Sequence, residues 1–444
     1  MGVLKSRRVA CGVLLISLGS LVGCDDVADD IEELVDDLFE DKGYAEEIVW
    51  PAQVNTQCPL WSRGQVISIS ESMKLPANCA FEQVTIKIVA PDVDFDCNAA
   101  VFNGMNKVDR NDYRDAYNKE EAPKGHGFMI HSAENSAVRL DNIKIRNCQI
   151  INYIHAVDVD MELTADTELG LRNRSVSEDS LRAKAPANIQ VLNSKLINGH
   201  GSAIYINRYI TGFSLSNSAV KGSGGPGLYL EAGTRFATIT DSVFEGNGYF
   251  SYDGATRQRE ARRSELAKRE AIAVDSSTEN TITNNEFKDN ADGGIYLYKN
   301  CWEDAASDPT ELPRTEGANS NRIEGNSFTD ETTGVWIAER ADRDLSGFDC
   351  GDPLVYEEDD EKYYRDYANK NSVVNNTFHN LDMGVRVMDD LSIVRDNVFT
   401  NIGGFDIDVG SGIREKIAKP VSGTTVEGNT LSKNDGIRYR AGAN

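Results

Sequence analysis

Proline is scarce in this 444-residue chain, with 11 residues, and histidine scarcer still, with 5. So little proline beside 37 glycines and 40% hydrophobic residues excludes a disordered or collagen-like chain and leaves a folded composition. Positive charge is short as well. Lys and Arg number 46 against 71 Asp and Glu, a formal net charge of −25. Phosphate binding rests on clustered Lys and Arg, so no nucleic-acid partner is expected. Long apolar runs are missing too. The one candidate, Val9 to Val22, is too short and too isolated to span a bilayer. No CxxC spacing and no nearby histidine pair suggests zinc.

What the N-terminus does hold is a basic start, Lys5, Arg7 and Arg8, ahead of that apolar stretch, which ends in Leu21-Val22-Gly23-Cys24. These residues resemble the lipobox of bacterial lipoproteins. The resemblance implies a signal peptide over residues 1–23 and lipidation of Cys24. The membrane would then be met through a lipid anchor only, in the bacterial cell envelope, on the periplasmic or cell-surface side. Losing the three basic residues would take the net charge from −25 to −28. Residues 24–50 are expected to form an acidic tether with an amphipathic helix, since Val27, Ile31, Leu34, Val35, Leu38 and Phe39 recur at helical spacing. Such a helix could cover the open end of a stacked structure.

Eight cysteines are present. Setting aside Cys11 in the signal and Cys24 leaves six, an even number that in an exported chain points to disulfides. Six cysteines allow 15 connectivities. The sequential pairs Cys58–Cys79, Cys97–Cys148 and Cys301–Cys350 are the ones expected.

From about residue 127 the chain repeats. One half of each repeat is a short alternating strand opened by Gly or Ala, as in Gly127-Phe-Met-Ile, Ala203-Ile-Tyr-Ile, Gly227-Leu-Tyr-Leu, Gly294-Ile-Tyr-Leu and Gly384-Val-Arg-Val. Phe405-Asp-Ile-Asp fits the same place. The other half ends in Asn285-Glu-Phe287, Asn326-Ser-Phe328, Asn376-Thr-Phe378, Asn397-Val-Phe399 and Asn429-Thr-Leu431, with Ser194, Ser218 and Ser242 in place of Asn earlier. Stacking these repeats would superpose the Asn amides for coil-to-coil hydrogen bonds and the Phe rings inside.

This pattern resembles the right-handed parallel β-helix proteins of the pectate-lyase-like superfamily, in particular the NosD-like periplasmic group. Gly127-Phe-Met-Ile-His-Ser-Ala-Glu-Asn-Ser-Ala-Val, Asp141-Asn-Ile-Lys-Ile-Arg-Asn-Cys and Asp96-Cys97-Asn98 carry the resemblance, which covers roughly residues 80–444. It implies an all-β fold, a single right-handed parallel β-helix over residues 51–444. The same fold hosts lyases, hydrolases, epimerases, adhesins and accessory proteins.

Insertions at 161–187, 300–319 and 340–370 follow the Gly-opened strand, and one at 248–270 precedes it. All four should therefore flank one sheet. The last is the most basic stretch and includes Arg262 and Arg263, which could hold an anionic ligand against the global field.

On the Gly-opened strands, residues between the apolar ones point outward. The outward columns contain Tyr205, Tyr229, Tyr296, Tyr298 and Trp336, aromatic rings suited to sugar faces, with Asn207 beside them. Glu231 and Asp275 fall on adjacent coils, where close carboxylates would push one pKa up and supply an acid and a base. Arg208 or Lys299 could instead remove a proton beside a uronate carboxylate, with Asp158, Asp160, Glu231 and Asp275 as possible Ca²⁺ ligands. Asn198-Gly-His-Gly-Ser-Ala-Ile resembles the Gly-His-Gly element of polygalacturonases, which would place His200 at the mouth of the groove. His126, His155 and His379 receive no role.

The expected function is an envelope enzyme acting on an acidic polysaccharide, as lyase, hydrolase or epimerase. The alternative is a non-catalytic glycan-binding or NosD-like accessory lipoprotein. A monomer is expected in either case.

Overall fold

The computed structural model describes residues 44, 47–104, 125–248, 268–300, 312–338, 354–358, 361–364, 367–416, 418–440 and 442–444. Cys24, Arg262, Arg263, Cys301, Cys350 and the expected helix before residue 44 lie outside them.

Among the described residues, short strands recur in a fixed cycle and build three parallel sheets of 12, 11 and 10 strands, here A, B and C. Each of the first ten coils gives one strand to each sheet in turn, so the protein is all-β and a single parallel β-helix. The Gly- and Ala-opened strands form sheet A. The first coil starts at Val66–Ile69, well before the repeat becomes visible in the sequence. Two further strands, Leu354–Glu358 and Glu361–Tyr364, pair as an antiparallel hairpin in the 340–370 insertion.

Alternation explains the strands. Val157, Val159, Ile204, Ile206, Leu228, Leu230, Ile295 and Leu297 are fully buried in the interior, in register from coil to coil. The turn from sheet B to sheet C is tight. Each ladder asparagine follows a residue with positive φ: Asn284 at 56°, Gly325 at 67°, Asn375 at 57°, Asp396 at 56° and Gly428 at 67°. Asn, Asp and Gly are the residues that enter this left-handed region at low cost.

The turn then builds the expected ladder. The backbone N–H of Cys148 donates to Ser194 Oγ at 3.1 Å, and the chain of bonds continues through Ser218, Ser242, Asn285, Asn326, Asn376 and Asn397 to Asn429. Inside, Phe244, Phe287, Phe328, Phe378 and Phe399 stack with centroids 4.7 to 5.2 Å apart and planes within 10°. These rings also account for the glycines that open the strands. A Cβ at Gly294 or Gly334 would come within 2.5 Å of the ring of Phe328 or Phe378.

Cys58–Cys79 and Cys97–Cys148 are disulfide-bonded, as expected. Tyr44 and residues 47–49 lie against the outer face of sheet C. There Ile48 joins Val101, Ile151 and Ile197 in a small apolar cluster, and Val49 N–H donates to Gln149 Oε1 at 2.7 Å. No helix of the described residues is long and apolar enough to cross a membrane.

One register expectation is corrected. Arg386 pairs with Asp408 and Val385 with Ile407, so Asp408 stands in the outward column and Asp406 takes the place of the opening glycine. Asp406 is buried and accepts from Ser432 N–H at 2.9 Å and Ser432 Oγ. Those two bonds hold its carboxylate at the corner of the coil.

Candidate active site on the outer face of sheet A

The outer face of sheet A is not an open strip. Tyr229, Ala273, Tyr296, Tyr298 and Ala338 form an apolar cluster of their own, separate from the interior, with Tyr205 and Trp336 packed against it. Two of the insertions meet beside this face. The 161–187 insertion folds into α1 (Ala165–Arg172) and α2 (Glu178–Arg182), which bury Leu171 and Leu181. From α2, Arg182 reaches Glu316 Oε1 at 3.0 Å, and Thr315 Oγ1 donates to Glu178.

The segment carrying Glu316 also brings Arg314 onto the sheet. Arg314 Nη2 donates to Glu231 Oε1 at 2.9 Å, and its Nε lies 3.4 Å from Asp275 Oδ2. Glu231 also accepts from Tyr205 OH at 2.9 Å and Ala232 N–H at 3.1 Å. Asp275 accepts from Tyr229 OH at 2.7 Å, Ser276 Oγ at 2.9 Å and Asn300 N–H at 2.8 Å. The two carboxylates are thus neighbours, but the acid-and-base split expected of them does not follow. Burial pushes the Glu231 carboxyl up, while Arg314 and Arg208, with the two hydrogen bonds, outweigh it and hold it at about 2. Both side chains are buried beneath the segment that carries Arg314.

The remaining expected residues fall into the same packed layer. The Arg208 guanidinium donates to the carbonyls of Pro313 and Leu312 at 3.3 Å each. Asn207 accepts from the Arg208 N–H. Lys299 is fully buried. His200 is buried in the turn before Ile204–Ile206, so it does not stand at a groove mouth. Tyr296 donates to Asp292 O at 2.7 Å and meets Trp336 edge to face at 5.1 Å. Trp336 Nε1 donates to Met388 Sδ. Tyr298 donates to Glu270 Oε1 at 2.8 Å and accepts from Arg269 at 2.9 Å.

A second cluster lies toward the N-terminal end of the same face, and three of its members are histidines. His131 Nε2 is 2.9 Å from Asp158 Oδ2, and His126 Nδ1 is 3.2 Å from the same oxygen. His126 stacks on His155 at 5.4 Å, His155 on Tyr205 at 5.4 Å, and Tyr205 on Tyr229 at 5.4 Å. His155 Nδ1 is 2.5 Å from Ser202 O. The side chains of His126 and His131 are 26% and 25% exposed, so this cluster, unlike the Glu231 pair, can be reached.

Its electrostatics are set by burial and by Asp158. Burial, reinforced by the neighbouring imidazoles, lowers His126 to about 4 although Asp158 opposes it, and burial lowers His155. Burial would raise Asp158, but the His131 hydrogen bond and the three histidines hold it low. Asp160, two residues along the same strand, is raised, chiefly by burial. At neutral pH Asp158 is therefore ionised beside the neutral imidazoles of His126 and His155. Since a carboxylate only accepts, His131 donates to it through Nε2.

Asp158 is thus occupied by imidazoles. Among the described residues no three His, Cys, Asp or Glu side chains converge as a metal ion would require. His126 and His155 were missed in the sequence. The signal was there, since each directly precedes the small residue that opens its strand, Gly127 and Ala156, and the register superposes them.

The chain matches the family described as right handed beta helix region over residues 96–301 and 179–347, together more than half its length. It belongs to that family. Solved structures share the fold of this right-handed β-helix protein at low identity. The Agl-KA catalytic domain is 12% identical with a TM-score of 0.41, over 85% of this chain and 61% of that one. The periplasmic alginate epimerase AlgG is 9% identical with a TM-score of 0.42, over 84% of this chain and 75% of that one. The GH136 lacto-N-biosidase from Eubacterium ramulus is 11% identical with a TM-score of 0.44, over 81% of this chain and 51% of that one. The chain thus spans less than two thirds of the first and third of these proteins. No curated protein matches it in sequence.

Proposed function

We propose that this protein cleaves a polysaccharide by acid–base chemistry on the outer face of sheet A, with Asp158 and His131 as the base and Asp160 as the acid. The observation that carries the reading is the accessible His131–Asp158 pair. It lies on the strand that also holds Asp160, and the environments of the two aspartates push their pKa values in opposite directions. Such a divergence is what separates acid from base among like groups.

Glycosidic hydrolysis needs a proton delivered to the leaving oxygen and a base that activates water. Asp160, with its raised pKa, would deliver the proton. The His131–Asp158 pair would take one from water. Elimination from a uronate fits less well. It needs a cation on the sugar carboxylate, and Arg208 and Arg314 already bind Leu312, Pro313, Glu231 and Asp275, while Lys299 is fully buried. The disulfides suit an oxidising compartment such as the cell envelope.

The test is a depolymerisation screen of the protein against acidic and neutral glycans, following both reducing ends and ultraviolet absorbance. New reducing ends without absorbance, lost in Asp160→Asn, support the hydrolase. New absorbance would mean a lyase. Glycan binding with no product would favour the non-catalytic reading.

A further inference from the structure

Where sheet C turns into sheet A, a second asparagine ladder runs beside the first. Ser223 N–H donates to Asn247 Oδ1 at 3.1 Å, and Asn247 donates to Asn290 Oδ1 through its N–H at 3.0 Å and its Nδ2 at 2.9 Å. The next rung is a carboxylic acid, because Asn290 Nδ2 donates to Glu331 Oε1 at 2.5 Å. The ladder ends there, since the following coil carries Leu381 in that turn. Glu331 is only 4% exposed, and its Oε2 has no hydrogen-bond partner.

That carboxyl lines a cavity of about 440 Å³, with Asp289, Asp330, Asp382, Asn380 and Lys268 among its walls. The wall is polar and carries more negative than positive side chains. Asn380 Nδ2 donates to Asp330 Oδ1, so the amide and carboxylate are already aligned on one side. Three acidic side chains do not converge here on one point as they would around a metal ion. The volume and the spread of acceptors call for an occupant larger than an ion, positively charged and rich in hydrogen-bond donors.

We propose that this cavity binds a primary ammonium group on a small polyhydroxylated molecule, of the amino-sugar class, with Glu331 receiving the ammonium and Asp382 at the rim. The orphaned oxygen gains a donor, and the Asp and Asn side chains gain hydroxyls. Burial of Glu331 and the charge of Asp289 hold its carboxyl well above the ordinary range. An arriving cation would reverse that and release a proton. The site is separate from the His131–Asp158 cluster and does not depend on the function proposed for it.

The experiment is calorimetric titration of the full chain at pH 7 with D-glucosamine, with glucose, N-acetylglucosamine and calcium chloride as controls. Glucosamine should bind and release protons, seen as a heat that varies with the ionisation enthalpy of the buffer, while the three controls should not. Glu331→Gln should weaken glucosamine at least tenfold. Asp382→Asn, at an exposed position that does not endanger folding, should weaken it several-fold, and Asp158→Asn should leave it unchanged. Absence of glucosamine binding, equal binding of glucose, calcium binding in its place, or undiminished affinity in both cavity variants would overturn the proposal.

Discussion

Arg314 Nη2 lies 2.9 Å from Glu231 Oε1, with both side chains buried on the outer face of sheet A. The same guanidinium reaches Asp275 at 3.4 Å, so one cation holds two carboxylates on adjacent coils. This bridge takes Glu231 and Asp275 out of solvent and makes them part of the scaffold.

Removing the cation should therefore cost more than removing a surface charge. Arg314→Met leaves buried carboxylates uncompensated and should destabilise the protein by about 3–5 kcal/mol. Chemical denaturation of wild type and variant measures it. A loss below about 1 kcal/mol, the range of exposed pairs, would show that the bridge is solvated and weak.

Activity should follow the accessible cluster instead. On a polysaccharide that the protein degrades, His131→Asn and Asp158→Asn should each lower kcat/KM by about 10²–10⁴-fold with the Tm little changed. Glu231→Gln should act through stability. If Glu231→Gln were inactive at full stability while His131→Asn stayed active, the assignment of the site would be wrong.

Acid should loosen the histidine cluster. Folded His126 is held at about 4 by burial, against about 6.5 for an unfolded histidine. Between those values the unfolded chain binds a proton that the folded chain does not, so stability falls with pH. The contribution is complete above about pH 6.5 and is lost as pH drops toward 4, by up to about 3 kcal/mol. His155 is shifted the same way. Asp160, raised by burial, opposes that slope, and Asp158, held low, acts below this window. Comparing wild type with His126→Asn isolates the histidine. The variant should show a shallower fall of Tm between pH 6.5 and 4, and identical slopes would count against the buried neutral imidazole.

The phenylalanine column should behave as one packed body. Phe328 is fully buried between Phe287 and Phe378, each 4.8 Å away. Phe328→Ala should cost about 3–5 kcal/mol, measured by denaturant unfolding. A cost near 1 kcal/mol would mean that the neighbouring coils collapse into the gap.

Much of this architecture was legible in the chain. The Asn-x-Phe recurrence at 285–287, 326–328, 376–378 and 397–399 states both ladders directly, because identical residues at one place in a stacked coil must meet. The Gly-opened strands state sheet A, since alternation marks the buried face and the glycine marks the approach of a ring. Asp406 was misplaced by two residues because Phe405-Asp-Ile-Asp alternates as well in either register. Only pairing with Arg386 chooses Asp408.

The sequence by itself determined the solenoid, its ladders and most of the side chains that share a column. Those follow from local periodicity, which is repeated in every coil and needs no distant partner. Only the tertiary structure decided which outward residues are usable. Arg314, 39 positions beyond Asp275 in the chain, folds back onto Glu231 and Asp275, and no local pattern announces that approach. Burial then decides charge. The same outward column holds a carboxylate locked at about 2 in Glu231, and a raised one in Asp160, because one lies under an arginine and the other does not.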